Sequence, residues 1–157
     1  MKATKAVLEA IEQAERNGLI EQLMVRSVPD WNRRMIVPAP PTANNLFPTG
    51  KGNRRFMSKE YKAWLEIAVP LFRAMTKPPS FPVEICIVIV PGNGWRVSSD
   101  IANREKGITD ALVKAGVLPD DNQKYVASVR IGVAKPVPGN YSFIVFWLAP
   151  PTEWWNI

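Results

Sequence analysis

The sequence predicts an α/β (α+β) fold, a single domain with a mixed β-sheet packed by helices and preceded by a helical extension. Three observations carry this expectation. Residues 81–90 (Phe-Pro-Val-Glu-Ile-Cys-Ile-Val-Ile-Val) are nearly all apolar and rich in β-branched side chains, the pattern of a central strand covered on both faces. Helical and strand-like segments alternate along the chain, which suits one sheet with helices laid against it. The chain has 157 residues, enough for one domain with a real core.

Residues 4–24 read as a helix, with Val7, Leu8, Ile11, Ala14, Ile20 and Leu23 as a rough apolar stripe. Residues 25–32, with Pro29, read as a linker, so the chain divides into an extension over 1–32 and a domain over 33–157. Met35-Ile36-Val37 is a short strand ending in Pro38-Ala-Pro-Pro41, and 44–53 is turn-rich and basic. Ser58 suits an N-cap, and a helix follows over 59–75 with Tyr61, Trp64, Leu65, Ala68, Leu71 and Phe72 on its apolar side. Pro70 is expected to kink or shorten it. After the strand at 81–90, Pro91–Gly94 breaks the chain, a helix runs from about Ile101 to Ala115, and Gly116 is placed to stop it. Residues 125–133 and 141–148 read as two strands joined by a hairpin-like connection at 136–140, and the tail from Pro150 reads as irregular.

Composition narrows the chemistry. Twenty basic against fourteen acidic residues give a net charge of +6, which favours an anionic partner. There is no histidine, so histidine bases, Ser-His triads and histidine zinc sites are excluded, and a catalytic metal must take oxygen ligands, which favours Mg²⁺ or Mn²⁺. The single cysteine, Cys86, lies in an apolar run and reads as a core thiol. No apolar run reaches membrane-spanning length and the N-terminus lacks a leader's apolar stretch, so the expectation is a cytoplasmic protein without a membrane partner.

The stretch from Asp100 to Asp121 carries the functional signal. Acidic residues stand at both ends of a helix, with Lys106 inside it. From Asn103 to Ala115 the helix rises about 18 Å, and residues 116–121 extended span about 20 Å, just enough to bring Asp120 and Asp121 back beside Asp100. On that geometry Asp100 and Asp121 can share a metal ion. Lys106 lies one turn beyond Asn103 on the same face and leans toward the site. Asp110 lies about 10 Å further along the axis than Asn103 and reads as a partner of Lys106 or Lys114 rather than a ligand. A plain reading of the same residues stands beside this one: Asp100 as an N-cap and Asp120-Asp121 as a turn.

Asp100-Ile-Ala-Asn103-Arg-Glu-Lys106-Gly-Ile-Thr-Asp110-Ala-Leu112, then Gly116-Val-Leu-Pro-Asp120-Asp121, resembles the RusA family of Holliday junction resolvases of bacteria and their phages. Pro40-Pro41-Thr42-Ala43-Asn44 and the helix start at Ser58-Lys-Glu-Tyr61 are similar to further parts of the family pattern, and the resemblance covers roughly Met35 to Leu148. It implies Mg²⁺-dependent hydrolysis of DNA phosphodiesters at four-way junctions during recombination and repair, by a homodimer matching the junction's two-fold symmetry. It implies essential acids at Asp100 and Asp121, with Asp120 a further candidate metal ligand, a catalytic lysine at Lys106, and supporting places for Asn103 and Asp110. The family's third essential acid falls on Ala102, which has no carboxylate. Two readings follow: a resolving endonuclease, or a weakened or inactive junction-binding variant.

Lys51, Arg54, Arg55 and Lys59, with Asn44 before them, suit a loop lying along DNA phosphates, or else a plain solvated loop. Arg96 and Arg104 flank the acidic stretch and can position the DNA backbone.

Overall fold

The structure, a computed structural model, describes residues 35–96, 101–136, 139 and 142–151, together with Lys5, Glu9, Glu12, Gln13 and Arg16; the side chains of 43, 44, 102 and 103 are not among those described. Lys5, Glu9, Glu12, Gln13 and Arg16 are all helical and exposed, and the rest of the helix expected over 4–24 lies outside the described residues. The linker at 25–32 and the tail from 152 lie outside the described residues.

Four strands, β1 (Met35–Pro38), β2 (Val83–Val90), β3 (Val126–Val133) and β4 (Phe143–Ala149), form one mixed sheet in the order β1-β4-β2-β3. β2 runs parallel to β3, and β4 runs antiparallel to both β1 and β2. The expected hairpin between the last two strands is therefore corrected: β2 lies between them. A strand parallel to β2 ends at the same edge as β2, so the chain must cross β2's end to reach its far side. The crossing is anchored there by Ala134 N to Ile89 O at 2.8 Å and by Asn93 N to Gly139 O at 2.6 Å.

Between β1 and β3 the described residues form the helices α1 (Ala43–Leu46), α2 (Lys59–Arg73) and α3 (Glu105–Lys114). Ser58 Oγ accepts the Tyr61 N–H at 3.1 Å, satisfying one of the first-turn donors of α2. Pro70 neither stops nor shortens α2 before Arg73. The turn beyond it is pinned by Phe72, fully buried and edge-on to Phe146 at 4.8 Å, which offsets the one backbone hydrogen bond that proline removes.

Tyr61, Trp64, Ala68 and Phe72 of α2 and Ile108, Ala111 and Leu112 of α3 pack on alternate residues of the sheet, among them Ile85 and Ile87 of β2 and Ile144 and Phe146 of β4. Each of the large, fully buried aliphatic and phenylalanine side chains among them contributes about 1.5–3 kcal/mol. The register between β2 and β3 steps from Val83↔Val126 to Glu84↔Ser128, so Ala127 is an extra residue. This bulge lets Val126, Val129 and Ile131 all face the helices despite their odd spacing. The opposite face of the sheet is buried too, at Glu84, Cys86, Val90, Phe143, Val145 and Trp147, which explains why β2 reads as an unbroken apolar run with one acid in it.

Candidate active site

The segment expected to be one helix from Ile101 starts as a 3₁₀ turn over Ile101–Arg104 and becomes α3 at Glu105. Its end is a Schellman turn. Val117 N donates to Leu112 O at 3.0 Å and Gly116 N to Val113 O at 3.0 Å, with Gly116 at φ 76°. Burial of Val117 and Leu118 then ties the return segment to the core. Sequence alone thus reverses the chain at Gly116 and brings the Asp120-Asp121 pair back along α3.

The result is a lysine held between two carboxylates from separate segments. Lys106 Nζ lies 2.9 Å from Asp110 Oδ1, one turn along α3, and 3.6 Å from Asp121 Oδ2 on the return segment. The hydrogen bond to Asp110 raises the Lys106 pKa, against the opposing effect of desolvation, and Asp121 adds to the rise. A lysine raised in the fold contributes stability that is complete below its ordinary value and is lost only as pH rises through the raised one, so Lys106 is a cation throughout the neutral range. Asp110 Oδ2 faces the Tyr61 hydroxyl at 3.5 Å, long for such a bond. Burial, then the Asp110 charge, pushes the Tyr61 pKa up, so the phenol stays protonated and turned to the carboxylate.

Asp120 does something different. Its Oδ1 accepts the Asp121 N–H at 2.8 Å and its Oδ2 accepts the Asn122 side-chain amide at 2.7 Å. The Asp121 N–H, first, and the Asn122 amide hold its pKa below the ordinary carboxylate value. The stability this supplies is present above the unfolded-state pKa and is lost as pH falls through the depressed one. Asp120 therefore shapes the turn, and Asp121 is the carboxylate presented to Lys106.

Asp100 lies outside the described residues, as do the side chains of Asn44 and Asn103. Among the described residues no group of three carboxylates could hold a metal ion. The half-exposed Asp121 carboxylate, an oxygen donor beside a cation, has the chemistry of one ligand to a hard divalent ion.

The basic residues divide into two groups. Lys51, Arg54, Arg55, Lys59 and Arg96 are exposed and make no ion pair among the described residues. Arg104 turns inward: its Nη1 donates to Pro40 O at 2.6 Å and its guanidinium lies 4.7 Å from the centre of the Trp95 ring. Burial lowers its pKa, and its Nε is buried with no hydrogen-bond partner among the described residues. Arg104 staples the Pro38–Pro41 segment to the start of α3. Gly107 completes that contact, since a Cβ there would stand 2.9 Å from Pro40 Cβ. Gly107→Ala is expected to destabilise the fold by about 1–2 kcal/mol, overpacking outweighing the gain in helix propensity. A urea-unfolding midpoint shifted downward with an unchanged slope is the check; an upward shift would show that the segment moves aside freely.

Sequence reasoning placed Tyr61, Trp95, Gly107 and Glu84 in the core or left them aside. Only Glu84 carried a signal, as the single acid in an apolar strand. It is met by Arg130 Nε at 2.7 Å and Ser128 Oγ at 3.0 Å from the neighbouring strand.

A mixed sheet with two helices on one face, and a lysine set between two acids at the α3 return, defines a small α+β domain. The chain matches the family model described as endodeoxyribonuclease RusA over residues 38–139, and it belongs to that family. No match is found among curated proteins.

Proposed function

We propose that this protein is a structure-specific endodeoxyribonuclease that resolves four-way DNA junctions, using Mg²⁺ or Mn²⁺, as a homodimer in recombination and repair. Membership of the RusA family supports the nuclease class and the junction substrate. The observation that carries the reading for this chain is the Lys106 ammonium drawn to Asp121 by the α3 return. Net charge +6 supports a polyanionic partner, and no described helix is long and apolar enough to cross a membrane. The domain would span 33–157, with 1–32 an added extension, and the setting would be the cytoplasm of a bacterium or of a phage-infected cell.

In this reading Asp121 and Asp100 would hold the metal, with Asp120 shaping the turn beside them. A bound divalent ion would offset negative charge on the scissile phosphate and lower the pKa of a bound water. Lys106 stabilises charge developing on the phosphoryl or leaving oxygen, and Asp110 holds its ammonium in place. Lys51, Arg54, Arg55, Lys59 and Arg96 would track phosphates, with Asn44 and Asn103 beside the site.

Ala102 supports a second reading, a junction binder with weakened cleavage, because a hard cation loses an anionic ligand where the family pattern has an acid. A labelled four-way junction incubated with Mg²⁺ or Mn²⁺ tests both. The nuclease reading expects slow paired cuts by this chain and cleavage at least tenfold faster by Ala102→Asp. Cutting by Ala102→Asp alone establishes the binder, and binding by both without cutting by either overturns the nuclease.

A further inference from the structure

Residues 48–56 form a small hairpin whose aromatic residue, Phe56, has no part in the site described above. Thr49 and Arg55 bridge antiparallel, Gly50 N donates to Arg54 O at 2.7 Å, and Phe56 N donates to Pro48 O at 3.2 Å. Its tip turns through Gly52 at φ 70° and Asn53 at φ 57°. The hairpin is mounted firmly, because Ser58, the cap of α2, donates its own N–H to Leu46 O at 3.0 Å.

Phe56 is 52% exposed, the most exposed of the large hydrophobic side chains among the described residues. It is not loosely placed. A Cβ on Gly50 would stand 3.0 Å from Phe56 Cε1 and 3.2 Å from Cδ1, so the ring lies against the bare glycine backbone across the hairpin. One side of the ring is backed and the rest is open to water. Lys51, Arg54 and Arg55 of the same hairpin are exposed as well. At the hairpin's base, Phe47, itself 36% exposed, meets the Tyr61 ring edge-on at 5.6 Å, and Tyr61 reaches Asp110, the partner of Lys106. A relay of contacts thus links the base of the hairpin to the proposed catalytic lysine.

A fixed, outward aromatic ring within a cationic loop is what stacking on a nucleobase requires. Every base has a π-face, but paired duplex hides it, whereas a branch point or a single strand exposes it. We propose that Phe56 stacks on an unstacked DNA base while Lys51, Arg54 and Arg55 hold the adjoining phosphates, so that this hairpin distinguishes branched or unpaired DNA from continuous duplex. The inference rests on the nuclease reading for its junction substrate, and on the hairpin's own geometry for the base contact.

The test measures binding alone, in EDTA, by fluorescence anisotropy. Three labelled probes are used: a four-way junction, a continuous duplex and a single-stranded oligonucleotide. Phe56→Ala is expected to weaken junction and single-strand binding by roughly 5- to 100-fold and to leave duplex binding within about twofold. Phe56→Trp keeps the affinity, and Phe56→Leu, which keeps bulk without a π-face, behaves like alanine. Lys51→Ala or Arg54→Ala instead weakens all three probes and lowers the salt slope by about 1 each.

No loss with Phe56→Ala, equal loss on all probes, or full rescue by leucine overturns the proposal. So does unchanged DNA affinity with a shift from dimer to monomer in sedimentation, which would make Phe56 a subunit contact. A native protein without junction preference over duplex sinks the resolvase reading, while selective loss of single-strand binding in Phe56→Ala still upholds the base contact.

Discussion

Replacing Lys106 with methionine is expected to slow junction cleavage by roughly 10²–10³-fold, the scale of losing one preorganised group that stabilises transition-state charge. Methionine keeps most of the side chain's length and removes its charge. The cation it removes lies 2.9 Å from Asp110 and 3.6 Å from Asp121, so it is fixed before any substrate arrives and costs little reorganisation during reaction. Junction affinity should stay within a few-fold, because the exposed cations of the hairpin and Arg96 remain. Asp110→Asn is expected to give a milder loss of about tenfold, since it weakens the orienting contact and leaves the ammonium present. Single-turnover cleavage at saturating enzyme, beside anisotropy on the same junction, separates rate from binding. An unchanged rate with Lys106→Met would reduce the residue to an ordinary helix ion pair; should the native chain prove inactive, the comparison is made in the Ala102→Asp background.

The legible parts of the fold are those set by local chemistry or by burial on both faces. β2 announced itself because a strand buried on both sides has no polar alternation to confuse it. Ser58 and Gly116 marked the start of α2 and the end of α3 through the backbone groups they satisfy. The meeting of Lys106 with Asp121 followed from Gly116 and a short return. The illegible parts depend on distant strands. The turn-like residues at 136–140 signal a reversal but cannot say that β2 separates the two strands they join. The bulge at Ala127 exists only relative to β2. Tyr61 sits 49 residues from Asp110, and a helical stripe marks it simply as apolar. Arg104 reads in the sequence as a cation placed for the DNA backbone, and only the fold shows that Pro40 and Trp95 occupy it.

Glu84 and Arg130 set the largest expected effect on stability. Glu84 has a side chain only 1% exposed, on the face of β2 away from the helices, while Arg130 of β3 is 33% exposed. Arg130→Met removes the guanidinium 2.7 Å from a buried carboxylate and leaves that charge in a poorly solvating place. Breaking a buried pair from one side costs roughly 3–5 kcal/mol, and the lower end, about 3 kcal/mol, applies here because Arg130 is partly open to water and Ser128 still donates to Glu84. For a chain of this size that corresponds to a fall in melting temperature of about 6–12 °C. Glu84→Leu combined with Arg130→Met should recover most of the loss, since an apolar side chain suits the buried face beside Cys86 and Trp147. Urea unfolding of the two single variants and the double completes the cycle. A single-variant loss below about 1 kcal/mol, or a double variant no better than the singles, would mean that the pair contributes little net energy. DNA binding by the folded fraction should be unaffected throughout, because neither side chain belongs to the α3 site or the basic hairpin; selective loss of junction affinity in Arg130→Met would instead place Arg130 at the DNA.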